Sequence, residues 1–383
     1  MIQRPKKKRG IVIGGTGLIG GGLVHYFDKY CSTDLKILSP NSKVLGLGHL
    51  DKIEQYVKHW KPEFIINAAI AAIDSTPLLA YSINYLGSIH LAKAALKLNI
   101  PYIFLSSAAV LPAGNQITEE QQLKLDATLS NYAKSKLMCE LTLKHMHEQQ
   151  GLDVTTVRLA IVYGKHDYKV QGFQRLLHSI AGQAMPLFLT AKGVQHSYSN
   201  ARKVPPFIHH VLKHRAEFSG GVYNFVDSEP VELVQLIQTI KNLLGIKKPR
   251  NIFLPLRIAN LGFSALQILL KSLVHIGIEA KMPAELMFLD QFYKSQTLDN
   301  TKVKNSSFVA PWPEQTIYSN LPEIIDYYIS RWQHHNLIPV RNKASLMPSK
   351  DVEQFISRPQ QLLQRIHREE SQPFGKSSGV ENN

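Results

Sequence analysis

Cysteine is scarce in this sequence: Cys31 and Cys139 are the only two among 383 residues. Their spacing fits neither a zinc knuckle nor a redox pair, so reduced thiols in a cytoplasmic protein are expected. Acidic charge is short as well, with 29 Asp and Glu against 44 Lys and Arg, for a formal net charge of +15. Arg4, Lys6, Lys7, Lys8 and Arg9 place five positive charges in the first ten residues, directly before an apolar run, and read as a solvated cluster. No basic motif interleaved with aromatics occurs, which argues against a nucleic-acid partner. The first ten residues lack the apolar core of a secretory signal, and no internal repeat or low-complexity tract stands out. What remains, 44% hydrophobic and 19% charged, is the composition of a globular chain with a large core.

Long hydrophobic runs are also few. The stretch Ile258 to Ile278 approaches a membrane span in length, but Lys271 and His275 interrupt it, Gly262 and Gly277 lie within it, and Arg257 and Lys281 flank it. A buried or membrane-surface helix pair is the expectation, which leaves peripheral membrane contact through 258–278 open. Residues 341–383 are polar and rich in Gln and Ser, and read as a partly disordered tail with a short helix at 360–369.

What is present is an alternation of short apolar runs with helical stretches, the pattern of βαβ units. Strands are expected near 10–14, 35–38, 63–67, 101–106 and 154–159, and helices near 18–30, 51–59, 76–98 and 131–150, with Gly151 stopping the last. VYNFV and the amphipathic VELVQLIQTIKNLLG form a later strand and helix. The fold class is α/β: a Rossmann doubly wound parallel sheet over 10–165, then a smaller C-terminal substrate lobe over 166–340 that returns elements to the sheet.

The run GIVIGGTGLIGGGLVHYF takes an apolar strand through glycines into a helix. Gly14, Gly17 and Gly20 form GxxGxxG, and Gly15, Gly17 and Gly20 also satisfy GxGxxG. Missing side chains let a pyrophosphate approach backbone N–H groups at the positive end of the helix, whose first residues are Leu18 and Ile19. An NAD enzyme usually carries an acid at the end of the second strand; here that position is Ser39, and Asp34 lies at the strand's other end. With no carboxylate to repel a 2′-phosphate and Lys43 near enough to pair with one, the cofactor expected is NAD(P), with NADP favoured; the alternative for Lys43 is an ordinary solvated lysine.

NYAKSK places Tyr132 and Lys136 one helical turn apart. A phenol titrates near ~10, so a neighbouring ammonium would make Tyr132 a usable acid/base. Ser107 ends the strand YIFLSSAAV, where open α/β sheets place ligands, and can hydrogen-bond a substrate oxygen. His210 and His214, at i and i+4, have no third metal ligand in view, so no metal site is expected.

With GGTGLIG, NAA at Asn67–Ala69, INYLG at Ile83–Gly87, SSAAV, YAKSK and RLAIVYG at Arg158–Gly164, the chain resembles the extended short-chain dehydrogenase/reductase superfamily, the NAD-dependent epimerase/dehydratases. Among its members it resembles dTDP-4-dehydrorhamnose reductases and UDP-galactose 4-epimerases. The resemblance implies Ser107, Tyr132 and Lys136 as the catalytic trio, with Tyr132 and Lys136 also touching the cofactor. It further implies Ala68 and Ala69 beside the nicotinamide, Asn84 ordering the helix or a proton-relay water, and His49 and Leu50 near adenine, with His49 in place of the usual acid. VQHSYSNARKVPPFIHH stands where nucleotide-sugar members have a pattern resembling RDFVHVDD; the expected arginine near Gln195 or His196 is absent, leaving Arg202 or Lys203 to meet a diphosphate. The implied activity is hydride transfer at a carbinol or keto carbon of a small molecule, a nucleotide sugar or related sugar. The alternatives are a lipid-linked or sterol-like alcohol as substrate, or a non-catalytic cofactor-binding regulator. A homodimer through the helices near 76–98 and 131–150 is a further implication.

Overall fold

The computed structural model describes residues 7–182, 190–246, 292–338 and 357–370, with isolated positions between 253 and 268 and at 354 and 355. In chain order the first half runs β1 (Lys8–Ile13), α1 (Leu18–Cys31), β2 (Leu35–Leu38), α2 (Leu50–Trp60), β3 (Phe64–Asn67), α3 (Pro77–Leu79), α4 (Gly87–Leu98), β4 (Tyr102–Ser107), β5 (Gly114–Ile117), α5 (Asn131–Gln150) and β6 (Val154–Leu159). The second half continues with β7 (Ile161–Tyr163), α6 (Gly172–Ala181), β8 (Gln195–His196), β9 (Tyr198–Asn200), α7 (Val204–Lys213), α8 (Arg215–Phe218), β10 (Val222–Phe225), β11 (Val231–Glu232), α9 (Leu233–Leu243) and β12 (Gln296–Leu298).

Six strands form one parallel sheet in the order β10-β6-β4-β3-β1-β2. They read as nearly unbroken apolar runs because both faces are covered. Ile11, Ile13, Ile65, Tyr102, Phe104 and Val154 pack on one side with residues of α2, α4 and α5. Val12, Ile66, Ile103, Leu105 and Val157 pack on the other with residues of α1 and α7. Each fully buried large side chain contributes roughly 1.5–3 kcal/mol, so burial on both faces holds strands of only four to six residues in register. From β1 the chain passes to β2 on one side and to β3 on the other, which opens a crevice at the carboxyl ends of β1 and β3.

The expected strands and helices are present, with one difference. The helix expected over 76–98 is broken by a wide π turn at Ala80–Leu86. Its cause is local: Asn84 Oδ1 accepts the Ala71 N–H at 2.7 Å and Asn84 Nδ2 donates to Ser135 Oγ at 3.2 Å. The segment after β3 and helix α5 thus both hold this turn.

The chain divides into two units, Met1–Arg331 and Trp332–Asn383. The first contains all the strands; besides the central sheet it has a four-stranded sheet, β11-β8-β12-β5, and the pair β7-β9. β5 therefore leaves the central sheet's run of elements for the second sheet, and β10 returns to the first. The second unit includes the helix Pro359–Glu370, where one was expected at 360–369. Most of 258–278 and of the tail lies outside the described residues. Among the described residues no helix is long and apolar enough to cross a membrane.

The tightest approach in this frame is at the glycine turn. Gly14 has φ +83°, and a Cβ there would lie 2.7 Å from the Ala68 carbonyl and the Ala69 nitrogen; one on Gly20 would lie 2.1 Å from the Gly14 oxygen. Gly20→Ala is expected to destabilise the fold by about 3 kcal/mol or more, since the obstacle is backbone that cannot step aside. Urea denaturation measures this, and an unchanged midpoint would contradict the close approach.

Candidate active site

The glycine turn assembles the first half of the site. Gly17 N donates to Gly14 O at 3.0 Å and precedes α1, so the free N–H groups at the start of that helix, from Leu18 and Ile19 onward, border the crevice. Asn67 fixes the opposite wall: its Oδ1 accepts the Ala69 N–H at 3.1 Å, while its Nδ2 donates to Ser88 Oγ and to the Tyr102 hydroxyl. Ala68 and Ala69 are thereby held against Gly14.

Ser39 ends β2, and its hydroxyl donates to Val12 O at 3.0 Å, beneath the glycine turn. Lys43 and His49 are exposed, and Leu50 is the first residue of α2. Nothing acidic stands at the end of β2. A cavity of about 670 Å³ lies between α1 and β2, lined among others by Gly15, Gly21, His25 and Lys36.

The second half of the site lies at the ends of β4 and α5. The Ser130 side chain caps α5 by accepting the Ala133 N–H at 3.2 Å, and Gly151 ends the helix at φ +71°. Tyr132 is therefore in the first turn and Lys136 in the second. Ser107 Oγ accepts the Ala109 N–H at 3.2 Å. Burial raises the Tyr132 phenol above its ordinary range, and the Ser107 hydroxyl partly offsets this. Lys136 is buried; its ammonium donates to Leu105 O at 2.7 Å and lies 4.6 Å from the centre of the Phe104 ring. Burial lowers its pKa to about 8, against the opposing pull of Cys139 and Glu140. In this arrangement the lysine rests on the strand, not on the phenol, so the phenol keeps its proton at neutral pH. Asn84 is fully buried and bonds the Ala71 N–H after β3 and Ser135 on α5.

Other sequence candidates sit elsewhere. Lys203 is buried, 2.7 Å from Gln315 O and 3.8 Å from an Asp227 oxygen, so the fold uses its charge; Arg202 is exposed over Trp312. His210 and His214 stack at 3.9 Å, and His210 bonds Ser307. Among the described residues no group of three or more His, Cys, Asp or Glu could hold a metal.

Sequence reasoning missed Glu140 and Arg158, whose side chains are 2% and 0% exposed and pair at 2.8 Å directly behind the trio. The signal was available: an arginine in VTTVRL, a strand buried at every position, requires an anion, and Glu140 lies one turn beyond Lys136.

The lysine gives a stability test. Its folded pKa lies below the unfolded value, so the buried charge costs stability at neutral pH, and the cost is relieved between about pH 8 and 10.5. Lys136→Met is expected to stabilise the protein at pH 7 by on the order of 2 kcal/mol, with the gain fading above pH 10. Thermal melting across pH checks the sign.

Comparison with known proteins places this geometry. A model of the NAD dependent epimerase/dehydratase family matches residues 11–224, more than half the chain. The chain is 23% identical over 257 residues to GDP-L-colitose synthase of Yersinia pseudotuberculosis, covering 62% of this chain and 82% of that protein. It is 23% identical over 195 residues to UDP-glucuronate 4-epimerase of Thermodesulfobacterium geofontis, covering 48% and 56%. Several curated relatives are thus matched over only about half their length. Among solved structures, dTDP-4-dehydrorhamnose reductase of Bacillus anthracis in complex with NADP superposes with TM-score 0.58 at 17% identity, covering 85% of this chain and 99% of that one. UDP-glucose 4-epimerase of Thermotoga maritima with UDP-glucose superposes with TM-score 0.60 at 18% identity, covering 84% and 99%. The family match, together with a parallel sheet that carries a glycine turn and the Ser107, Tyr132 and Lys136 constellation on one edge, makes this chain a member of the NAD dependent epimerase/dehydratase family.

Proposed function

We propose that the protein is an NAD(P)-dependent oxidoreductase or epimerase acting at a carbinol or keto carbon of a nucleotide sugar. The observation that carries this reading is the placement of Ser107 at the carboxyl end of β4 with Tyr132 and Lys136 one turn apart on α5, where the Lys136 ammonium bonds Leu105 O of the same strand. The glycine turn fits a dinucleotide: it has no Cβ at Gly14 or Gly20, and it opens into a helix N-terminus. A bound nicotinamide would supply or take the hydride. Ser107 orients the substrate oxygen, and Tyr132 gives that oxygen a proton when a keto carbon is reduced and removes one when a carbinol is oxidised. The resting phenol holds its proton, which suits the reductive direction. In the oxidative direction Lys136 supports the phenolate with its charge.

Support for the substrate class comes from the relatives: GDP-L-colitose synthase, UDP-glucuronate 4-epimerase and dTDP-4-dehydrorhamnose reductase all carry nucleotide-sugar names. NADP is favoured because Ser39 turns inward and the exposed Lys43 is the nearby charge. The second reading, an apolar or lipid-linked alcohol, draws on a cavity of about 460 Å³ walled by Phe253, Pro255, Leu256 and Tyr293. Self-association through α3 to α5 is supported by exposed Leu78, Leu79, Tyr81 and Leu141.

In fluorescence titrations NADPH is expected to bind more tightly than NADH, and Lys43→Ala to weaken NADPH alone, by about tenfold. Tyr132→Phe should cut turnover of dTDP-4-dehydrorhamnose or UDP-glucose by about a hundredfold or more, without changing cofactor affinity. Full turnover in Tyr132→Phe would sink the mechanism, and failure of both cofactors to bind would leave the glycine turn a structural element. Turnover of sterols but of neither sugar nucleotide would favour the second reading. For self-association, Leu141→Lys should convert a dimer to a monomer by light scattering; a wild-type chain already monomeric removes that proposal.

A further inference from the structure

Behind the trio lies a carboxylate with more partners than charge neutralisation requires. Glu140 Oε2 accepts from Arg158 Nη2 at 2.8 Å and from Gln122 Nε2 at 2.7 Å, and Arg158 Nε lies 3.1 and 3.2 Å from the two oxygens. Oε1 also accepts the hydroxyl of Ser106, the residue beside Ser107 on β4. Arg158 alone would satisfy a structural ion pair. The bonds to Ser106 and Gln122 tie the same carboxylate to the serine strand and to the loop that leads into Tyr132.

On α5 the positions 132, 136 and 140 fall one turn apart, so Tyr132, Lys136 and Glu140 share a helix face. Ser106 carries the backbone from which Ser107 projects, and Lys136 bonds the carbonyl of Leu105 just before it. We infer that Glu140 is a positioning residue for the reaction site, holding Ser107 in place through Ser106 and supporting the Lys136 ammonium with its own charge. This rests on the reading of Ser107, Tyr132 and Lys136 as the reacting groups.

Cys139 and Glu140 on α5 act on Lys136, Arg158 on β6 pairs with Glu140, and in the loop the Glu119 carbonyl accepts from Arg158, whose charge also acts on Glu120. Burial lowers Lys136 to about 8, and Cys139 and Glu140 pull it back up. Cys139 is itself pushed up to about 12 by burial, so it is a neutral thiol at pH 7 and lends no charge there. Glu140 is left as the anion that keeps Lys136 protonated.

The test separates this role from plain neutralisation of Arg158. Titration of Lys136 is followed by NMR in protein carrying carbon-13 lysine, with the signal assigned by its loss in Lys136→Met. The double variant Glu140→Gln, Arg158→Met removes both buried charges together, so no cation is left unpaired. In it the Lys136 midpoint should fall by about one pH unit. Ser106→Ala leaves the ion pair intact, and it should speed amide exchange at Ala109, whose N–H donates to Ser107 Oγ, by about tenfold. Ser106→Thr, which keeps the hydroxyl, should restore slow exchange. An unmoved Lys136 midpoint in the double variant, or wild-type exchange in Ser106→Ala, overturns the proposal. Ser106→Ala decides the matter even where the double variant fails to fold. Neither readout uses substrate, so a failure of the trio reading, seen as intact turnover in Tyr132→Phe, is distinguishable from a failure of this one.

Discussion

Arg158 is wholly shielded from water, and the arrangement around the reaction site follows from the need to satisfy it. A guanidinium in the middle of a parallel sheet is tolerable only with a full set of acceptors. Glu140 supplies two oxygens from α5, and the Glu119 carbonyl, 2.8 Å from Nη1, supplies a third from the loop before that helix. The Glu119 carboxylate in turn accepts the Asn224 N–H at 2.9 Å, which carries the network to β10. Losing one partner of such a pair costs about 3–5 kcal/mol, so the rotation of α5 about its own axis is effectively fixed. That rotation decides which way Tyr132 and Lys136 face.

A different kind of constraint governs the other half of the site. At Gly14 the limit is how closely backbones pass. Ala68 and Ala69 approach to a distance that only a missing side chain permits, and Asn67 holds them there. The two constraints act at the same edge of one sheet, at the ends of β1 and β3 and of β4 and β6. A steric device thus frames the expected cofactor turn, and an electrostatic device frames the acid/base groups. Arg158, Glu140, Asn67 and Asn84 are the buried groups that hold these segments in place.

The central sheet was legible because its strands announce themselves as apolar runs bounded by glycines and caps, and the ordering of those runs with helices leaves little topological freedom. The grouping of Ser107, Tyr132 and Lys136 was legible for a related reason: these residue types sit where strand and helix periodicity put them together. The short strands β5, β8, β11 and β12 were not. Strands of two to four residues carry no periodic signal, and what holds them is non-local, as in the bond from Gln116 N to Thr297 Oγ1. The π turn around Asn84 was hidden because it comes from side-chain bonds to Ala71 and Ser135, which a helical pattern does not register. Lys203 looked free in sequence but is bound to Gln315 and Asp227, because its position begins α7 under a buried polar group. Arg158 appeared only as one letter of a motif, though a charge in a fully buried strand is itself a demand for a partner.

The resting chemistry of the site follows from where Lys136 is held. Its buried ammonium donates to Leu105 O, while Tyr132 is half-buried. A phenol with no cation on its oxygen keeps its proton at neutral pH. A lysine with a pKa near 8 keeps most of its charge at neutral pH, so the cation that could stabilise a phenolate is present but directed elsewhere. The protonated form of Tyr132 is therefore the stable one. An oxygen of a keto substrate entering beside Ser107 would meet two hydroxyl donors at once. On the proposed mechanism the site rests as a proton donor, and its use as a base requires the Lys136 side chain to exchange the Leu105 carbonyl for the phenol.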